Sequence, residues 1–84
     1  MEVFFTARFL RTYKKLPPGV QHDVENAIEA FKSSKNHEQL KLHKLHGKLK
    51  QYHAFSANFS YRIILKLSKD KAYCMDVGDH GVYE

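Results

Sequence analysis

The sequence predicts an α+β fold: a short N-terminal strand, a helical hairpin, then a three-stranded antiparallel meander forming one small sheet. Three observations predict it. Apolar residues recur at helical spacing between residues 7 and 31, and strand-like alternation is confined to residues 51–78. Pro17-Pro18-Gly19 and Ser68-Lys69-Asp70-Lys71 punctuate those stretches as a helix break and a polar turn. Helices segregated from an antiparallel run are the mark of an α+β domain.

Glu2-Val3-Phe4-Phe5 is rich in aromatic and β-branched residues and reads as a short strand. Thr6 is a suitable N-cap for a helix starting at Ala7, on which Phe9, Leu10, Tyr13 and Leu16 share one face. The proline pair stops that helix and starts the next, since proline is tolerated in a first turn. Val20, Val24, Ala27, Ile28 and Phe31 form the second apolar stripe, which Ser33 to Asn36 ends. Residues 37–50 read as a connection, pinned to the core by Leu40, Leu42, Leu45 and Leu49. Strands are expected at 51–57, 60–67 and 72–78, with Asn58-Phe59 near the first turn. Tyr61, Ile63, Leu65 and Leu67 then share one face of the middle strand, and Arg62, Ile64 and Lys66 the other.

At 84 residues, the chain has room for one domain, spanning 1–84, with one small core. No apolar run approaches the ~20 residues that span a bilayer. The opening MEVFFTARFLRTYKK lacks the pattern of a signal peptide, so a cytoplasmic location is the expectation. The single cysteine, Cys74, excludes an internal disulfide and reads as a small buried hydrophobe.

The formal net charge is +5, but its placement matters more. Between Lys32 and Arg62 lie seven basic residues (Lys32, Lys35, Lys41, Lys44, Lys48, Lys50 and Arg62) and one acid, Glu38, so this segment alone carries +6. His43, His46 and His53 can add charge beside a polyanion. Such a cluster is either a solvated face or a footprint for phosphate, and its concentration in one segment favours nucleic acid. Lys41, Lys44, Lys48 and Lys50 are the candidate nucleic-acid contacts.

RNA can be cleaved without a metal when its ribose 2′-OH attacks the adjacent phosphate. That requires a proton acceptor, a proton donor for the departing 5′ oxygen, and a cation beside the phosphorus. His53, Arg62, His80 and Tyr83 are the candidates. His53 is either functional or an ordinary strand residue. Arg62 either pairs with Asp76 or points into a site. His80 follows Gly78-Asp79 at a strand end, where exposure suits function. Tyr83 is either part of a loose chain end or an aromatic for stacking on a base. His43, His46 and His53 invite a zinc reading, but no cysteine pair or HExxH accompanies them, so neither metal nor cofactor is expected.

From Leu42 to Tyr83 the sequence resembles toxins of the RelE/ParE superfamily, the RelE-like branch above all. The residues that carry the resemblance are Lys44-Leu45-His46-Gly47-Lys48-Leu49-Lys50, Tyr61-Arg62-Ile63-Ile64, and Asp76-Val77-Gly78-Asp79-His80-Gly81-Val82-Tyr83. The N-terminal half matches in layout. The resemblance implies a type II toxin that cleaves mRNA at the ribosome and is neutralised by a cognate antitoxin, whose acidic or amphipathic segment folds on binding. It implies Arg62 as the phosphate-stabilising arginine, His80 as general acid, Tyr83 as the substrate-orienting aromatic and His53 as general base. Phe55 stands where some members place a second lysine. The same fold also serves ParE-like gyrase inhibitors without nuclease activity, and a non-toxic binding module is a third expectation.

Overall fold

The computed structural model describes residues 2–33 and 40–79. Strand β1 (Glu2–Phe5) leads through Thr6 into helix α1 (Ala7–Lys14), and helix α2 (Pro18–Lys32) follows. Then come β2 (His43–Lys44), a 3-10 turn at Gly47–Leu49, β3 (His53–Ser56), β4 (Arg62–Ser68) and β5 (Lys71–Gly78). The fold is α+β, as the sequence predicts, but the sheet is larger than the expected meander. It has five strands in the order β1-β5-β4-β3-β2, with β1 parallel to β5 and the other pairs antiparallel. The connection expected over 37–50 contains β2, because His43 and Lys44 pair with Ala54 and His53.

The helices begin where local chemistry places them. The backbone N–H of Phe9 donates to Thr6 Oγ1 at 3.1 Å, capping α1. Arg11 and Lys14 lie in its last turn, where the helix dipole favours positive charge. Helix α2 has Pro18 in its first turn, where no amide donor is needed. The two helices are tied by the Tyr13 hydroxyl donating to the Glu25 carboxylate, and by the Gln21 side chain donating to the Tyr13 carbonyl at 3.0 Å.

The main core lies between the helices and one face of the sheet. Phe9, Val24 and Phe31 pack there on Phe55, Ile63, Leu65, Cys74 and Val77. The rings of Phe31 and Phe55 stack at 4.8 Å. A smaller cluster, Leu45, Ala54 and Ile64 with Leu49, Tyr52 and Met75, covers part of the other face.

A bulge in β5 sets which side chains reach which face. Ile64 pairs with Asp76 and Leu65 with Cys74, leaving Met75 as the extra residue. Cys74 and Val77 therefore both enter the main core although they are three apart, and Met75 joins the opposite cluster. Thr6 anchors this irregularity: its hydroxyl is shared between the carbonyls of Cys74 (3.1 Å) and Met75 (3.2 Å), and its amide donates to Cys74 O at 3.2 Å. Cys74 is buried, as expected, and burial pushes its thiol pKa up to about 12.

Candidate nucleic-acid interface

The β3–β4 turn is built by one asparagine. Asn58 Oδ1 accepts from the amides of Ser60 (2.9 Å) and Tyr61 (2.8 Å), and its Nδ2 donates to Asp23 on α2 at 2.9 Å. Asparagine suits this place because its short side chain mimics a backbone turn. The amide of Ala57 donates to Tyr61 O at 2.9 Å, closing the loop.

Arg62 opens β4 directly after this turn. Its Nη1 donates to the carbonyls of Asn58 (3.0 Å), Phe59 (3.3 Å) and Tyr61 (3.1 Å). Through Nη1 one edge of the guanidinium thus braces the turn. The expected alternative, a pair with Asp76, does not form. Asp76 is taken by Arg8 Nε at 3.2 Å, and its Oδ1 accepts from the Val77 amide at 2.9 Å.

Arg62 shares an open cleft of about 600 Å³ with Leu40, Lys41, Ser56, Ala57, Asn58 and Phe59. Lys41 is held beside it by backbone constraints. The Ser56 amide donates to Leu40 O at 2.8 Å, and His43 Nδ1 lies 2.8 Å from Lys41 O. A carbonyl only accepts, so Nδ1 carries the proton in that contact. Lys41 itself adopts a left-handed conformation, φ 58°, uncommon for a residue other than glycine. Among the described residues the cleft lining thus contains two cations and no carboxylate.

The expected site residues do not all meet here. Arg62 shares its sheet face with Ser56 and Ile64, by pairing and alternation. His53 pairs with Leu65 and alternates with Phe55, both in the main core, so it belongs to the opposite, helix-side face. His53 and Arg62 therefore lie on opposite faces of the sheet. His53 Nδ1 is buried and, among the described residues, has no hydrogen-bond partner. Desolvation, then the charges of Lys44 and His43, hold its pKa below the ordinary value.

The basic residues divide similarly. Lys41 reaches the Arg62 cleft, whereas Lys44 pairs with His53 at the sheet edge. Lys48 and Lys50 are exposed on the segment carrying Leu45, Leu49 and Tyr52. His80 and Tyr83 lie outside the described residues. Strand β5 does bring Gly78 into register opposite Arg62. Phe59 is the site residue that sequence reasoning passed over, and a large aromatic between Asn58 and Ser60 at a turn tip was its available signal. Among the described residues no group of three or more His, Cys, Asp or Glu is placed to hold a metal ion, and no helix is long and apolar enough to cross a membrane.

No protein-family model matches this sequence, and no curated relative matches it. Solved structures do match its architecture. The RelB–RelE antitoxin–toxin complex from Methanococcus jannaschii aligns over 96% of this chain and 95% of that chain, with TM-score 0.76 and 20% identity. The YoeB–YefM complex from Staphylococcus aureus aligns over 95% and 97%, with TM-score 0.74 and 14% identity. YafQ from E. coli strain BL21(DE3) aligns over 98% and 96%, with TM-score 0.68 and 14% identity. The chain has the RelE-like toxin fold.

Proposed function

We propose that this chain is the toxin of a type II toxin–antitoxin pair and acts as an endoribonuclease on mRNA at the ribosome. The observation that carries this reading is the Lys41–Arg62 cleft, a doubly cationic site beside the β3–β4 turn, in a RelE-like fold. In the proposed reaction the 2′-OH gives its proton to solvent water as it attacks the neighbouring phosphorus, and the bond to the 5′ oxygen breaks. The products are a 2′,3′-cyclic phosphate and a free 5′-OH. Arg62 and Lys41 stabilise the charge on the phosphorane oxygens. His80 protonates the leaving oxygen and Tyr83 orients the substrate. His53, on the other face, is left out of this phosphate's chemistry.

The neighbours solved as antitoxin–toxin complexes support a cognate antitoxin as partner. An acidic segment laid across the cleft would block it by charge complementarity.

Pulsed expression in a bacterial host, with primer extension on an abundant mRNA, tests the proposal. Discrete cuts are expected from the wild type, and none from His80→Ala. Lys41→Ala should slow cutting by roughly 10²-fold, the usual loss on removing one group that stabilises transition-state charge. Growth arrest with DNA damage and no cuts would move the assignment to gyrase inhibition. Harmless expression would leave a binding module.

A further inference from the structure

We propose that Phe59 is a stacking platform for an RNA base, paired with Lys41 and Arg62 as the anchor for that nucleotide's phosphate. The inference rests on the RNA-binding reading above and assigns the base-contacting residue of the same cleft.

Phe59 is 95% exposed, far more than Phe4, Phe5 or Leu10, the other large apolar residues that reach solvent among the described residues. Its exposure does not come from a loose turn. Asn58 fastens the loop to Ser60, Tyr61 and, across the fold, Asp23. Arg62 Nη1 donates to the carbonyl of Phe59 itself. The guanidinium and the ring are thus mounted on the same few backbone atoms, and both border the cleft that Lys41 completes.

That combination matches what a single-stranded nucleic acid presents. Phosphates need fixed cations, and an unstacked base needs a flat apolar face reachable from solvent. A protein docking surface would instead need several apolar residues side by side. Among the described residues the cleft around Phe59 supplies only Leu40 and Ala57 as apolar neighbours, beside polar Asn58 and Ser56 and the two cations. Because every base has a π-face, Phe59 contributes affinity and position more than sequence choice.

The chain contains no tryptophan, so Phe59→Trp introduces a sole indole reporter at this position. The probes are a fluorescein-labelled single-stranded oligoadenylate and an abasic oligomer with the same ribose-phosphate backbone. Phe59→Ala should weaken oligoadenylate binding by roughly 5- to 100-fold, the range for loss of one base–aromatic stack, and leave abasic binding unchanged. Phe59→Trp should retain affinity, and its indole emission should be quenched at saturating oligoadenylate. Circular dichroism should show both variants folded, since the side chain packs so little.

Equal binding of oligoadenylate by wild type and Phe59→Ala overturns the inference while leaving the RNA reading intact. So does an indole emission that stays unchanged when anisotropy shows the oligomer bound. A wild-type protein that binds neither oligomer overturns both the RNA reading and this assignment.

Discussion

Replacing Thr6 by valine removes one hydroxyl and keeps the β-branched shape. That hydroxyl accepts from the Phe9 amide at 3.1 Å and donates toward the Cys74 and Met75 carbonyls at 3.1 and 3.2 Å. Loss of an N-cap costs about 1 kcal/mol. One proton shared between two carbonyls counts as a single net hydrogen bond, worth another ~1 kcal/mol. The Thr6 amide keeps its own bond to Cys74 O in the variant, so the expected loss is about 2 kcal/mol and not more. Against a total stability of roughly 5–15 kcal/mol this is a large fraction. Urea denaturation followed by circular dichroism reads it directly. With a slope near 1 kcal/mol per molar, expected for a small domain, the midpoint should fall by about 2 M. Thr6→Ser keeps the hydroxyl and should recover most of the loss. A Thr6→Val midpoint within about 0.5 M of wild type would refute the joint role of Thr6 as helix cap and bulge anchor.

Two further outcomes follow from His53 and Cys74. His53 has a pKa below its ordinary 6.5, so the unfolded chain takes up its proton first. Its contribution to stability is intact above about pH 6.5 and is lost as pH falls through the lower folded value. Urea midpoints at about pH 7.5 and 5.5 should therefore differ less in His53→Gln than in wild type, and an equal or larger difference would contradict the desolvation of its half-buried ring. Cys74 is 1% exposed with its thiol pushed up to about 12, so a thiol reagent should label it only after unfolding. Rapid stoichiometric labelling of the native protein would contradict the core described above.

Several elements were legible in the sequence because their causes are local. Thr6 before an apolar stripe, two prolines at a helix start and a polar turn before Lys71 act within a few residues of themselves. The same holds for Cys74, whose strand setting announced its burial. Arg62 stood out because it interrupts an apolar run, and Lys41 because it belongs to a basic cluster.

Other features depend on residues far apart in the chain. Nothing in Glu2–Phe5 states that it pairs with β5 rather than with another strand, because its partner lies some seventy residues further along the chain. The two residues of β2 are too few for a periodic signal, and they form a strand only because β3 offers an edge. The bulge at Met75 shifts the alternation midway along β5, so counting residues from Lys71 places Val77 on the wrong face. Asp76 is engaged by Arg8 of the first helix, far from it in the chain, and not by Arg62.

By itself the sequence determined the helix starts, the antiparallel run, the excess of positive charge and the chemical types available to an RNA phosphate. Only the tertiary structure decided which of those types share a site. It separated His53 from Arg62 by strand register, and it brought Lys41 and Phe59 to Arg62 through a left-handed residue and an asparagine-built turn. The physical reason is that a side chain's identity is local, whereas the face it occupies is set by a neighbouring strand's hydrogen bonds, where a shift of one residue reverses the outcome.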